Sequence, residues 1–81
     1  MTNLEIYNRA FLTNFPVKEE ELVTLRYLSY SKWESVRHMA LISDLEEAFD
    51  IMLSTQDLLD FSSYVKGKEV LKRYGVEIEE Q

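Results

Sequence analysis

The 81-residue sequence contains no cysteine, one proline and two glycines. Without cysteine the chain cannot form disulfides, a thiolate nucleophile or a zinc site with sulfur ligands. No apolar run approaches the roughly 20 residues that a transmembrane helix needs, and residues 1–5 lack the basic and then apolar order of a signal peptide. We therefore expect a cytoplasmic protein with no membrane partner, in which any thiol chemistry comes from a cofactor.

Basic residues are also scarce, because the sequence has nine Lys and Arg against fifteen Asp and Glu, which gives a net charge of −6. Nucleic-acid binding requires clustered basic side chains, so we expect no nucleic-acid partner. Protein partners should instead present basic surfaces, although acidity that merely keeps a small protein soluble is the simpler interpretation. The length fits one domain over residues 1–81, which we expect to be a monomer.

Two long apolar patterns with helical spacing predict the first two main helices. The first helix covers about residues 2–14 and ends near Asn14, because Pro16 disfavours helical backbone in the residue before it. The second begins at Ser35 and ends at Phe49, with an apolar stripe at Val36, Met39, Ile42, Leu45 and Phe49 that Leu41 and Ala48 widen. Residues 16–34 form the longest connection, which is too apolar to float in solvent and should pack against the helices.

Two further helices are predicted in the C-terminal part of the chain. A short helix over about residues 55–60, capped by Ser54 or Thr55, should direct Leu58, Leu59 and Phe61 inward. The last helix begins at Ser62 or Ser63, buries Val65, Val70, Leu71 and Tyr74, and ends at Gly75 in a left-handed cap. Within it, Gly67 is expected to be tolerated at a cost near 1 kcal/mol against alanine. Residues 76–81 are expected to fray.

These four helical segments, with no convincing strand or hairpin signal, predict an all-α four-helix bundle with one short helix and a long first loop. The structured core should span about residues 3–76.

Ser35 is the main candidate functional residue. It lies in the first turn of the second helix, where backbone N–H groups lack intrahelical partners and the helix dipole is positive, so a phosphate on its hydroxyl would be stabilised. The simpler interpretation is a helix cap, since serine is among the commonest residues at helix starts.

The stretch from Trp33 to Ile51 resembles the serine-bearing helix of acyl carrier proteins. Its pattern is an acid, the serine and an apolar residue, followed by an apolar helix that ends in Leu-Glu-Glu-x-Phe and an acid. The resemblance implies an acyl-carrier-protein-like bundle that is not itself an enzyme. It also implies that a phosphopantetheinyl transferase attaches 4′-phosphopantetheine from coenzyme A to Ser35, and that the thiol of this arm holds acyl or aminoacyl groups as thioesters. In this family the short third helix borders the entrance to the acyl pocket.

The resemblance further implies docking of acyl-loading and acyl-processing enzymes with basic surfaces around the serine. The candidate docking residues are Glu34, Val36, Arg37, Met39, Asp44, Glu46 and Glu47. Each carboxylate has a simpler interpretation as a solvated helix residue. Glu34 stands where the family usually has aspartate, and Arg37 and His38 make the exposed side less acidic, which favours a specialised pathway over general fatty-acid synthesis.

Two other functions stay open, namely a carrier-fold interaction module that is never modified and a small helical regulator unrelated to acyl transfer. A catalytic Ser35–His38 pair is not expected, because no third group orients the histidine and an exposed bundle surface offers no oxyanion site. We expect His38 to lie at the surface or to face a partner. One histidine with scattered carboxylates also lacks the spacing of metal ligands.

Overall fold

The structure, a computed structural model, describes residues 1–27 and 35–79. These residues form four α-helices and one 3₁₀ helix, with no β-structure beyond an isolated bridge. The elements are α1 (Asn3–Asn14), the 3₁₀ helix (Glu19–Thr24), α2 (Ser35–Phe49), α3 (Thr55–Asp60) and α4 (Tyr64–Lys72). The predicted all-α class is confirmed. None of the described helices has the length and apolar character to span a bilayer.

The helix starts follow from local side-chain chemistry. Thr2 accepts a hydrogen bond from the Glu5 backbone N–H while the Glu5 carboxylate accepts one from the Thr2 N–H, which forms a capping box at α1. The hydrogen bond that the Thr2 backbone N–H donates to the Glu5 carboxylate is the main cause that lowers the pKa of Glu5. Ser54 and Ser63 cap α3 and α4 through their hydroxyl oxygens. Each cap satisfies N–H groups that the helix leaves unpaired.

The C-terminal ends of α2 and α4 both turn through left-handed backbone. Gly75 has φ of 79°, and the Val76 N–H donates to the Leu71 carbonyl at 3.1 Å, as in a Schellman motif. This confirms the predicted glycine cap. After α2 the corresponding residue is Asp50, with φ of 54°, and the Ile51 N–H donates to the Glu46 carbonyl at 3.0 Å. Aspartate tolerates this conformation better than most non-glycine residues.

Aromatic rings form the centre of the core. The ring centroids of Tyr7 and Phe11 lie 5.1 Å apart, and Phe11 and Tyr64 lie equally close, both in edge-to-face geometry. α1 packs on α2, the 3₁₀ helix packs against α1 and α4, and α3 packs on α4. The aliphatic part of the core comes mainly from Leu22, Leu25, Leu41, Ile42, Leu45, Leu53, Val70 and Leu71. Edge-to-face contacts add about 0.5–1.5 kcal/mol per pair beyond the burial of apolar area.

Two tyrosines bring polar groups into this core with partners for both hydroxyls. The Tyr7 hydroxyl donates to the Tyr64 carbonyl at 2.6 Å, and the Tyr64 hydroxyl donates to Oδ1 of buried Asn8. Burial raises the pKa of Tyr7 well above its usual range. Both phenols therefore act as neutral hydrogen-bond donors that join α1 to α4.

Gly67 is required by packing, so the prediction that it is merely tolerated is wrong. A Cβ at this position of α4 would lie less than 3.0 Å from the Phe61 ring and from the Tyr7 hydroxyl. The helix backbone thus approaches two buried rings as closely as a glycine allows. The apolar stripe of α4 also differs from the prediction, because Val65 is exposed and Tyr64 is buried in its place.

The connection after α1 packs down, as predicted, through buried Leu22 and Leu25. The C-terminal end of this connection forms backbone hydrogen bonds with the segment before α4. The Tyr27 N–H donates to the Ser62 carbonyl at 2.8 Å, and the Tyr64 N–H donates to the Leu25 carbonyl at 3.0 Å. This short antiparallel bridge fixes the end of the connection next to the start of α4. The predicted packing of Leu28 and Tyr30 lies outside the described residues.

Residues 76–79 are attached to α1, so the predicted frayed tail is wrong for this part. Val76 is buried and Ile78 packs against the core. The Asn3 side-chain amide donates to the Glu77 carbonyl at 2.9 Å, and the Leu4 N–H donates to the Glu79 carboxylate at 2.7 Å. The tail thereby pairs with N–H groups at the start of α1. Residues 80 and 81 lie outside the described part of the chain.

Candidate functional site

Ser35 is the first residue of α2 and its side chain is exposed. The structure thus places the predicted serine in the first helical turn, where the N–H groups and the dipole favour a negative group. Glu34, a predicted docking residue directly before it, lies outside the described residues. Among the described residues, nothing covers Ser35, which is exposed to solvent.

An apolar cleft opens beside Ser35, between the first turns of α2 and the short helix α3. Its volume is about 200 Å³. We call it the Ser35 cleft, and its lining residues are Tyr27, Ser35, His38, Met39, Leu58, Leu59 and Phe61. The exposed members Ser35, Met39 and Leu59 form its rim, whereas buried His38 and Phe61 form its floor. Entry to the cleft therefore lies next to the serine hydroxyl.

His38 is a buried residue of this floor, so its prediction as a surface or partner-facing residue is wrong. Its side chain is 6% exposed, and its Nε2 lies 3.0 Å from the Leu58 carbonyl oxygen. Because the carbonyl accepts, Nε2 carries the hydrogen in this contact. The imidazole also packs against the rings of Tyr27 and Phe61, at centroid distances of 4.9 and 6.2 Å. His38 joins α2 to α3.

The inward face of α2 is rotated from the predicted stripe. Val36 and Met39 were predicted both in the apolar stripe and among the docking residues; they are 76% and 51% exposed, and the buried face of α2 consists of His38, Leu41, Ile42 and Leu45. Leu59 of α3 was also expected to point inward and is 68% exposed. Three large apolar side chains near Ser35 are therefore exposed, namely those of Val36, Met39 and Leu59.

Two predicted docking carboxylates take part in contacts within the fold. Glu46 is half-buried, and its Oε2 accepts a hydrogen bond from the Leu53 N–H at 2.8 Å. Asp44 accepts one from the Asn14 side-chain amide at 2.9 Å, on the side of α2 that faces α1. Glu47 is exposed. Of these three carboxylates, Glu47 is the one best placed to meet a partner.

Arg37, the predicted basic docking residue, also has a structural contact. Its guanidinium donates to the Asn14 carbonyl at 2.5 Å, at the C-terminal end of α1, and the residue is half-buried. A cation at this end of a helix is stabilised by unpaired carbonyls and by the helix dipole. Arg37 therefore helps to join the two longest helices.

The α3 wall of the cleft is held by half-buried Leu58, which packs against the core, and by a cluster of polar contacts. The Asp57 carboxylate accepts hydrogen bonds from the Tyr74 hydroxyl and from the Arg73 guanidinium, the latter at 2.5 Å. Arg73 also donates to Asp60 at 3.0 Å. The hydrogen bonds from Tyr74 and then Arg73 hold the pKa of Asp57 below its usual value. This cluster fastens α3 to the end of α4.

The site residues missed by the sequence interpretation are those brought in by distant parts of the chain. Tyr27 reaches the cleft because its backbone pairs with Ser62, and Arg73 reaches α3 from beyond α4. Neither contact has a local signal in the sequence. His38, by contrast, lies in register with Leu41 and Leu45, so helical spacing alone permitted an inward placement.

The residues around Ser35 fit a phosphate-linked arm with an apolar end group. They offer an exposed hydroxyl in a first helical turn and an apolar cleft directly beside it. Among the described residues, no cluster of His, Asp and Glu side chains has the arrangement of a metal site. Comparison with known proteins adds no relative, since no protein-family model, no curated protein and no solved structure matches this chain.

Proposed function

We propose that the chain is an acyl carrier protein whose Ser35 carries 4′-phosphopantetheine, and that its helices form a bundle of the acyl-carrier type. The observation that supports this most is the position of Ser35, which is exposed in the first turn of α2 at the rim of an apolar cleft. The motif from Trp33 to Ile51 supports the same function. The attached arm supplies a thiol that holds acyl groups as thioesters.

Attachment is a phosphoryl-type transfer to the Ser35 hydroxyl. Ser35 Oγ forms a bond to the β-phosphorus of coenzyme A, the phosphoanhydride bond breaks, and adenosine 3′,5′-bisphosphate leaves. The hydroxyl proton passes to a base. We assign that base to the transferase, because the imidazole of the neighbouring His38 is buried against the rings of Tyr27 and Phe61. In this proposal the chain supplies an accessible nucleophile and leaves its activation to the partner.

Partner enzymes would recognise the surface around the serine. Val36, Met39 and Leu59 offer exposed apolar contacts, and Glu47 offers an exposed carboxylate on the same helix. Apolar contacts at the centre with charges at the edge are typical of protein interfaces. Charge complementarity with basic partners would mainly raise the association rate.

The test is the intact mass of the protein after incubation with coenzyme A, Mg²⁺ and a broad-specificity phosphopantetheinyl transferase. We expect the wild type to gain one phosphopantetheinyl group and Ser35→Ala to gain none. Ser43→Ala is the matched control, because Ser43 is also an exposed serine of α2. Circular dichroism should show nearly unchanged helix content in both variants.

A wild-type mass that stays unchanged with several transferases would refute the proposal and favour an unmodified docking module. Loss of modification in Ser43→Ala, or its survival in Ser35→Ala, would refute the assignment to Ser35. Unfolding of Ser35→Ala would instead identify the serine as chiefly a structural residue.

A further inference from the structure

The Ser35 cleft is small and has a closed, largely aromatic floor. Its volume of about 200 Å³ compares with the roughly 150 Å³ of an apolar cavity that holds benzene. Along one side, the His38 ring packs between the rings of Tyr27 and Phe61 and contacts both. The cleft thus has room for a short chain or a single ring, and too little for a long extended chain.

The floor is fixed from behind. Phe61 is fully buried and stands against the core rings, and the absence of a side chain at Gly67 lets α4 press directly on it. A deeper pocket through Phe61 would require the core to open. His38 is held in place by its hydrogen bond to the Leu58 carbonyl across the cleft.

We propose that His38 is a specificity-determining residue that limits the cargo of this carrier to short-chain or single-ring acyl groups. The inference rests on the proposed function, because the cargo enters the cleft from an arm on Ser35. The cleft lies next to Ser35, has an apolar lining and has a volume that fits a short or single-ring acyl group. These three features identify such a group as its expected occupant. In this proposal the buried imidazole of His38 limits the cleft at its inner end, beside Phe61.

The experiment compares thioesters of different size on the same protein. Wild-type protein is loaded from butyryl-, benzoyl- and dodecanoyl-coenzyme A, loading is verified by intact mass, and cleavage of each thioester by hydroxylamine is timed. Butyryl and benzoyl groups should be protected about tenfold relative to dodecanoyl, which is the effect of burying about two methylene groups. An equal or better protection of the dodecanoyl thioester would overturn the inference.

Two variants at position 38 test the role of the imidazole itself. His38→Ala opens the floor, and it should protect the dodecanoyl thioester about as well as the butyryl one. His38→Gln is the matched control, because its side-chain amide keeps a donor near the Leu58 carbonyl and a similar length, so the wild-type order should remain. An unchanged order in folded His38→Ala would refute the specificity role.

A third variant tests whether the cleft holds the cargo if His38→Ala does not fold. Leu59→Trp adds bulk at the exposed rim, where folding is little affected, and it should abolish the protection of butyryl and benzoyl thioesters. Full protection in this variant would also overturn the inference.

The two proposals fail in different ways. If no thioester can be loaded, the proposed function fails, and the cleft is then tested with free N-acetylcysteamine thioesters of butyric and benzoic acid. These probes should shift the amide resonances of Met39 and Leu58, and the absence of shifts would refute the cleft assignment. If loading succeeds but protection is independent of cargo size, only the inference on His38 is refuted.

Discussion

Replacement of Gly67 by alanine provides a sharp test of the core, because local propensity and tertiary packing predict opposite signs. Alanine favours a helix over glycine by about 1 kcal/mol, so an unhindered Gly67→Ala would stabilise α4. In the structure the added Cβ would lie less than 3.0 Å from the Phe61 ring and from the Tyr7 hydroxyl. Both neighbours are fully buried, so a shift of either ring disturbs the packing of the core.

The expected magnitude combines three effects. Overpacking of a filled core costs about 1–3 kcal/mol, and weakening of the hydrogen bond from Tyr7 to the Tyr64 carbonyl costs about 1 kcal/mol more. The helix propensity of alanine offsets about 1 kcal/mol. We therefore expect Gly67→Ala to lower the free energy of unfolding by about 1–3 kcal/mol, which is a large share of the roughly 5 kcal/mol of a domain of this size.

Urea unfolding followed by circular dichroism measures the effect directly. Glu69→Ala is the matched control, because this residue is exposed on the same helix and its replacement should change stability by less than about 0.5 kcal/mol. Combining Gly67→Ala with Tyr7→Phe removes one of the two close contacts, so the double variant should lose less than the sum of the single variants. An unchanged or higher urea midpoint for Gly67→Ala would refute the packing argument.

Three further predictions concern charge and buried polarity. Hydrogen bonds from Tyr74 and Arg73 lower the pKa of Asp57 in the folded state, so the stability they give is present above the unfolded-state pKa and is lost as the pH falls through the folded-state pKa. Arg73→Leu should therefore reduce the loss of melting temperature at acidic pH. An unaltered acidic part of the curve would refute the link. Tyr64→Phe leaves a buried amide oxygen without its donor and should cost about 1–3 kcal/mol in urea unfolding, whereas a neutral result would mean that the oxygen finds another partner. Glu47→Lys should weaken turnover by a partner enzyme more at low salt than at high salt, and salt-independent kinetics would exclude electrostatic docking through this residue.

The helix boundaries were predictable because they depend on residues close in sequence. Pro16 ends α1 by its effect on the preceding backbone, Ser54 and Ser63 supply hydroxyl caps, and Gly75 provides the left-handed turn after α4. Each of these effects acts within one turn of helix. The bounds of α1, α2 and α3 match the sequence interpretation to within one residue, whereas α4 ends at Lys72, three residues before the predicted end at Gly75.

The orientation of side chains was less predictable because it depends on what each helix packs against. The apolar stripe of a helix can be wider than the surface it buries. Met39 of α2 and Leu59 of α3 therefore fit the helical pattern and still face solvent. Gly67 looked unfavourable by propensity, yet it lies where two rings from other elements approach α4. His38 looked polar and exposed, yet the Leu58 carbonyl supplies the partner that allows it to be buried.

Of the candidate site, the motif predicted the serine, and the resemblance implied a pocket bordered by the short third helix but not the other walls of the cleft. Ser35 is specified by a contiguous motif and by its place in a helical turn. The cleft needs Tyr27, α3 and the contacts of Arg73, which meet only when distant segments fold together. Its volume, on which the proposed cargo depends, is a property of that assembly.

The bridge before α4 also has a consequence for folding. Its two backbone hydrogen bonds, between residues 25–27 and 62–64, close a long chain loop that contains both α2 and α3. The entropy lost on closing such a loop rises only with the logarithm of its length, by about 0.6 kcal/mol per doubling. Since α3 buries no residue of its own, we expect its amides to exchange with solvent at the same opening free energy as those of Tyr27 and Tyr64. The short helix α3 would then open together with the bridge, while α1 and α2, which pack on each other, keep their protection.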